Sequence, residues 1–328
     1  MNLETINKFV WLIPFKSFRN IIREYFIDIT NINNTLNSIN NTLNNINNNS
    51  NYINSNLNTV KDISIITSDK IYDIYSKEIN LNKISSDPKR LENYGYKVYS
   101  QTDEDGIINE IFNRIGVTNK FFIEFGVQDG IECNCHYLLM QGWEGVFIEG
   151  NKDYCNKMNE YYNYLIYNNK LKVINAFITK ENINDLISTT KAIDIKNIDL
   201  LSIDIDGNDY HVFKAIDVVN PRVVIIEYNV KFPPPVKWVM PYNPEHIWDG
   251  TENHGASLES IVELAKEKGY ELVATNINGV NAFFVRKELY NKDIFPEDNS
   301  AKNLNNFLRY GWHGHKIDKE FLKNYLNK

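Results

Sequence analysis

The sequence predicts an α/β protein: a doubly wound, mostly parallel sheet of seven strands with the last one antiparallel, preceded by an N-terminal helical coiled-coil stalk. Three observations carry this expectation. From about Leu91 onward, short apolar runs alternate with helix-like stretches as five β-α units and a closing strand pair. Acidic residues gather where those runs end, which is where open α/β sheets bind ligands. Before the domain, residues 31–60 are about half asparagine, yet their apolar residues keep a strict spacing of four and three.

The stalk comes first along the chain. Ile32, Leu36, Ile39, Leu43, Ile46, Ile53, Leu57 and Val60 form a 3.5-residue repeat that only Ser50 interrupts. Such a repeat makes a continuous apolar seam, along which helices pair. Carried backwards, the register catches Phe15, Phe18, Ile22, Tyr25 and Ile29. Asparagine forms helices poorly, so the coil is marginal unless its strands associate. Residues 1–80 are therefore read as a homo-oligomerising stalk, with an asparagine-rich tether of no fixed structure as the alternative. The run Phe9–Phe15 is far shorter than a membrane span. With Lys16, Arg19 and Arg23 it suits either a peripheral membrane contact or the first turns of a packed helix.

Bulk properties narrow the function. A chain of 328 residues with 43% hydrophobic content can bury one large core or two modest ones. A net charge of −7 offers no basic stripe, so nucleic acid is not expected as a partner. Cys133, Cys135 and Cys155 are too few for a disulfide framework and read as small apolar fillers rather than a metal clip. Residues 1–4 are not basic and no signal-peptidase-like site follows, so a cytoplasmic location, or the inner face of a membrane, is expected.

Within the domain, taken as residues 81–300, the order of elements is a helix over Glu104–Ile115 and a strand over Phe121–Phe125. A short helix near Asn134–Gln141 and a strand over Gly145–Glu149 come next. Helix Lys152–Tyr162, strand Leu171–Phe177, helix Asn182–Thr189 and strand Ile198–Ile205 follow. Helix Asp209–Val218, strand Arg222–Tyr228, helix Ser257–Lys268 and strands Glu271–Asn276 and Ala282–Arg286 complete it. An insertion at 231–257 carries five prolines with aromatic and polar residues interleaved, and 301–328 reads as a helical tail.

The chemistry sits at the strand ends. Phe121–Gly130 (FFIEFGVQDG) is a buried strand ending in Glu124, followed by Gly126 and Gly130, whose backbones can turn sharply beneath a flat ligand. The second strand ends in Glu149, suited to accept both hydroxyls of a ribose. The fourth ends in Asp204, Asp206 and Asp209 with His211 close behind, and the fifth in Glu227 and Asn229. Asp206 or His211 could act as a base toward a hydroxyl. Asp204, Asp206, Glu227 and Asn229 are hard oxygen donors that Mg2+ or another divalent cation would accept, or they simply tie down loops. Trp238, Tyr242, His246, Trp248 and His254 of the insertion offer flat faces and polar tips of the kind that hold a sugar; a proline-stiffened brace is the alternative.

This ordered set resembles the class I S-adenosylmethionine-dependent methyltransferases, and within them the FkbM-like group. The residues that carry the likeness are Tyr99–Phe112, Gly142–Asn151, the run SIDIDGNDYHV, PRVVIIEYN and Gly255–Val273. The resemblance implies that Glu124, Gly126, Asp129 and Gly130 hold the methionine part of the cofactor. It also implies that Glu149 holds the ribose, Ala176 lines the adenine site, Gln101 caps the cofactor and Asp204 borders it. Many members have D-x-E-G or D-x-Q-G where this chain has Asp204-Ile205-Asp206-Gly207. The implied activity is O-methylation of a sugar or cell-surface glycan precursor. A phosphorus-linked or small-molecule acceptor and a non-catalytic scaffold are the alternatives.

Overall fold

Between β2 and β4 in the sheet lies β1 (Phe121–Phe125), whose five residues are all buried. Successive side chains of a strand point to opposite faces. Phe121, Ile123 and Phe125 therefore enter one core and Phe122 the other. The remaining strands are β2 (Glu144–Glu149), β3 (Leu171–Asn175), β4 (Leu200–Ile203), β5 (Val223–Glu227), β6 (Tyr270–Thr275) and β7 (Asn281–Arg286). They form one sheet in the order β3-β2-β1-β4-β5-β7-β6, parallel except for β7, which runs antiparallel to both β5 and β6. The antiparallel strand is thus inside the sheet rather than at its edge, because the β6–β7 hairpin folds back into the gap beside β5. Asn276 clamps that hairpin by accepting the amides of Val280 and Asn281 at 2.8 and 2.9 Å.

This computed structural model describes residues 16–84, 86–277 and 279–306. The apolar run Phe9–Phe15 and residues 307–328 of the tail lie outside the described residues. The chain divides into two units, Met1–Asp73 and Ile74–Lys328. In the first, α1 (Lys16–Ile84) is one helix that runs on past its end. Fifteen of residues 31–60 are asparagine, a cost on the order of 8 kcal/mol relative to alanine. Thr30, Thr35, Thr42 and Thr59 turn their hydroxyls back to the carbonyls four residues earlier. No helix among the described residues is long and apolar enough to cross a membrane.

Helices cover both faces of the sheet. One face carries α2 (Glu104–Ile115), α3 (His136–Met140) and α4 (Lys152–Tyr161), with Ile107, Ile108, Ile111, Leu138 and Met158 in its core. The short α5 (Asn163–Tyr167) continues α4 after a break. The other face carries α6 (Ile183–Ser188), α7 (Ala192–Ile195), α8 (Asp209–Ala215) and α9 (Leu258–Glu267), and α10 (Ala301–Leu304) ends the described chain. Strands β3 and β4 and helix α8 are shorter than their apolar runs suggest, since the flanking residues leave the ladder to build the loops above it.

Beneath the sheet, at the N-terminal ends of the strands, Asp199 and Arg222 form a buried ion pair at 2.7 Å. Asp199 also accepts amides from Thr118, Asn119 and Lys120, and Arg222 donates to the carbonyls of Ile115 and Gly116. Burial alone raises the Asp199 carboxyl. The Arg222 bond and those of the 118–120 loop outweigh it and hold the group below the usual carboxylate range. This network is structural and lies opposite the ligand-binding end.

Candidate cofactor and acceptor site

Strand order reverses between β1 and β4, and the crevice beyond their carboxyl ends is where such sheets hold ligands. Gly126 follows β1 at φ +69°, and its amide donates to the Ile148 carbonyl at 3.1 Å. A Cβ there would lie 1.6 Å from the Asp204 carbonyl oxygen. Only glycine lets the turns after β1 and β4 come this close. Gly130, also at positive φ, closes the first turn with its carbonyl on the Tyr162 hydroxyl at 2.7 Å.

Glu124 is 3% exposed, and its oxygens accept the amides of Asn134 at 2.8 Å and Cys135 at 2.9 Å and the Ser202 hydroxyl at 3.3 Å. It shapes the crevice through the turn it holds. Burial raises its carboxyl against those bonds. Cys133 and Cys135 are free and buried, their thiols pushed far up by burial and then by the Glu124 charge, so they are inert packing groups.

Glu149, at the end of β2, is held differently. One oxygen accepts the Gln128 amide at 2.9 Å and the other the Asn151 amide at 2.8 Å. Each oxygen keeps an acceptor site for a ribose hydroxyl, in an orientation already fixed. Gln128 adopts φ +50°, which aims its amide at this carboxylate. Asn151 also caps α4, accepting the amides of Asp153 and Tyr154. Ala176 is half-buried just past β3, its amide on the Glu149 carbonyl at 3.0 Å. Asp129 makes a local turn to the Ile131 amide, and Gln101 is exposed, its carbonyl accepting from Lys97.

Acids crowd the acceptor side. Asp204, Asp206 and Glu227 place ligand oxygens within 4.8 Å of one another at the ends of β4 and β5. Burial, then repulsion from Asp206, Asp209, Glu124 and Glu104, pushes the Asp204 carboxyl well above its ordinary range. Asp209, fully buried, is the clamp that sequence reasoning left out of the site. It accepts the Ile205 amide at 2.8 Å and the Gly207 amide at 2.9 Å, and holds Asp206 at φ +53°. Burial carries its carboxyl up to about 6. A further network was also missed: Glu104 accepts from Thr102, Asn276 and Asn281, and beside it Asp103 is pushed up to about 7, mainly by burial. Its only trace in the sequence is the polar run Thr102–Asp105 opening a helix.

Other expected site residues are used elsewhere. Asn229 is buried and tied into the loops: its amide donates to the carbonyls of Glu252 and His254, and its oxygen accepts from Lys231. His211 bonds the Met240 carbonyl through Nε2 at 2.7 Å. A carbonyl only accepts, so Nε2 carries the proton and anchors the insertion. Trp238 stacks on Phe232 at 4.4 Å inside a small core with Met240 and does not face a ligand. Tyr242 packs against His211 and donates to Glu181, away from the acids. His246, Trp248 and His254 do gather by the cluster. The His246 ring covers Gly207 and lies 3.1 Å from the Asp206 carbonyl, while His254 lies 3.9 Å from carboxylate oxygens of both Glu227 and Glu252. Trp248 meets His254 edge-on and is 38% exposed.

Among doubly wound sheets, this strand order with β7 reversed is the arrangement of the class I S-adenosylmethionine-dependent methyltransferases. Residues 178–272, from the loop after β3 into β6, match the family model of the Methyltransferase FkbM domain. Solved structures similar to the chain include a putative caffeoyl-CoA O-methyltransferase from Staphylococcus aureus, with 15% identity, 67% of this chain and 99% of that one covered, and a TM-score of 0.38. Magnesium protoporphyrin IX methyltransferase (ChlM) from Synechocystis PCC 6803 with bound SAH shares 10% identity, over 56% of this chain and 81% of that one, at a TM-score of 0.37. A SAM-dependent methyltransferase from Aquifex aeolicus shares 12%, over 62% and 97%, at 0.33. The comparison with curated proteins found no match.

Proposed function

We propose that the protein is an S-adenosylmethionine-dependent O-methyltransferase whose acceptor is a sugar or glycan precursor, with a divalent cation at the acceptor side. The observation that carries the reading is the meeting of the two turns. The loop after β1, with Glu149 fixed beside it, touches the loop that bears Asp204 and Asp206. A cofactor lying on the first loop would present its reactive end to carboxylates on the second.

S-adenosylmethionine, when bound, would supply a sulfonium methyl whose carbon the acceptor oxygen attacks, the C–S bond breaking and S-adenosylhomocysteine leaving as a neutral thioether. The chain's own residues do the rest. Glu149 fixes the ribose, and Gly126 leaves the floor of the crevice flat. Where no cation sits on it, Asp206, exposed and held in its turn by Asp209, is the group that takes the acceptor hydroxyl's proton. Asp204, Asp206 and Glu227 fit a hard divalent cation in ligand type and mutual distance, and their crowding favours one. Such an ion would lower the pKa of the acceptor hydroxyl. His246 and Trp248 offer flat faces and hydrogen-bonding edges beside the cluster, with buried His254 packed against Trp248, which suits a polyhydroxylated ligand.

Calorimetric titration with S-adenosylmethionine and with its demethylated product tests the cofactor assignment. Binding should be present with both and fall at least about 100-fold in Glu149→Ala, the loss of a paired charged contact. No heat with either compound would end the methyltransferase reading. Transfer of a labelled methyl group to nucleotide-linked sugars or oligosaccharides, against non-sugar alcohols, then tests the acceptor. Turnover that survives exhaustive chelation removes the cation.

A further inference from the structure

The heptad register of α1 carries information about the number of strands as well as their association. The four–three alternation places Leu36, Leu43 and Leu57 at one seam position, a, and Ile32, Ile39, Ile46 and Ile53 at the other, d, with Val60 closing the series. In a two-stranded coil the Cα–Cβ bond at d points straight at the facing backbone, which a γ-branched leucine tolerates and a β-branched isoleucine does not. In a four-stranded coil those packing geometries are exchanged between a and d. Leucine at a with isoleucine at d is the pattern that moves assemblies above the dimer. Every one of these residues, with Ile29 before them, is at least 43% exposed on the single chain.

The flanks agree. Positions e (Asn33, Asn40, Asn47, Asn54) and g (Thr35, Thr42, Asn49, Asn56) carry no charge, and neither does any other residue between Ile29 and Val60. No salt-bridge pattern therefore selects a foreign partner, and the seam itself chooses a second copy of the same repeat. The Thr35 and Thr42 hydroxyls are already bonded within their own helix, so their methyl groups can extend the apolar face. Ser50 is the single polar seam residue. In a parallel, in-register assembly the Ser50 hydroxyls meet in one layer and bond each other, whereas antiparallel strands would set each against apolar side chains.

We infer that α1 joins four copies of this chain in a parallel four-stranded coiled coil. Sedimentation equilibrium of the full chain should give four chain masses, little changed between about 0.01 M and about 1 M salt, because the seam between Ile29 and Val60 has no charge pair for salt to screen. A layer exchange provides the second arm: Leu36→Ile, Leu43→Ile and Leu57→Ile combined with Ile39→Leu, Ile46→Leu and Ile53→Leu. This variant is an isomer of the parent, and circular dichroism confirms that it stays helical. It should shift to two chain masses. A parent mass of one, two or three chains, a mass that falls on adding salt, or a layer-exchanged chain that remains at four would each overturn the inference.

Discussion

Replacing Gly126 by alanine separates close approach from mere backbone freedom. At φ +69° an alanine suffers the left-handed penalty of roughly 1–2 kcal/mol. Its Cβ would also begin 1.6 Å from the Asp204 carbonyl oxygen, where at least 3.0 Å is needed. The two loops must therefore part by about 1.4 Å, and overpacking of that kind costs about 1–3 kcal/mol. The combined loss is about 2–5 kcal/mol. Gly269→Ala is the control, since Gly269 also sits at positive φ, +85°, with nothing within 4 Å of its would-be Cβ. For a domain of this size each kcal/mol lowers the melting temperature by about 2–4 °C. Calorimetric melting should thus place Gly126→Ala several degrees below Gly269→Ala. Titration with S-adenosylhomocysteine should show weakened binding in the first variant only. If the two variants melt together and bind alike, the contact between the loops does not have the consequence assigned to it.

The acid cluster and the structural ion pair make further predictions, with opposite signs in pH. The folded-state carboxyls of Asp103, Asp209 and Asp204 lie above the usual aspartate value, at about 7, about 6 and well above it. The stability linked to them is fully present below about pH 4 and is lost as pH rises through the folded values. Added Mg2+ or Ca2+ should therefore raise the melting temperature more at about pH 8 than at about pH 5. Glu227→Gln should abolish most of that rise; an equal rise in the variant refutes the assigned ligands. Asp199 behaves in reverse, because its folded value is lowered: its contribution is present above about pH 4 and fades as pH falls through the lowered value. Asp199→Asn strands a buried Arg222 charge and should cost about 3 kcal/mol in urea unfolding at neutral pH. The loss should shrink in acid, and a loss independent of pH contradicts the ion-pair account.

The sheet was legible because each strand is a continuous apolar run between turn-forming residues, and burial on both faces demands such runs. The sequence placed Glu149, Asp204 and Asp206 at strand ends because chain order alone puts them there. Residue type failed where a polar group serves a loop. Asn229 has the oxygen of a ligand and Glu124 the charge of a cofactor contact, yet each also accepts backbone amides that hold a loop in place. His211 and Asp209 lie two residues apart on one short helix, but only the structure shows that the first anchors the insertion and the second the 205–207 turn. Trp238 followed the same logic: an aromatic residue in a proline-rich loop looks like a ligand platform until Phe232 is found stacked on it. Strand ends follow from local pattern, whereas loop partnerships need the third dimension.

The near-contact of Gly126 with the Asp204 carbonyl has a thermodynamic corollary. Two loops with no slack between them cannot adjust independently, so occupancy of one and the geometry of the other are linked. Whatever factor the cofactor product applies to the affinity of an acceptor analogue or a divalent ion, those ligands must return to the cofactor product in equal measure.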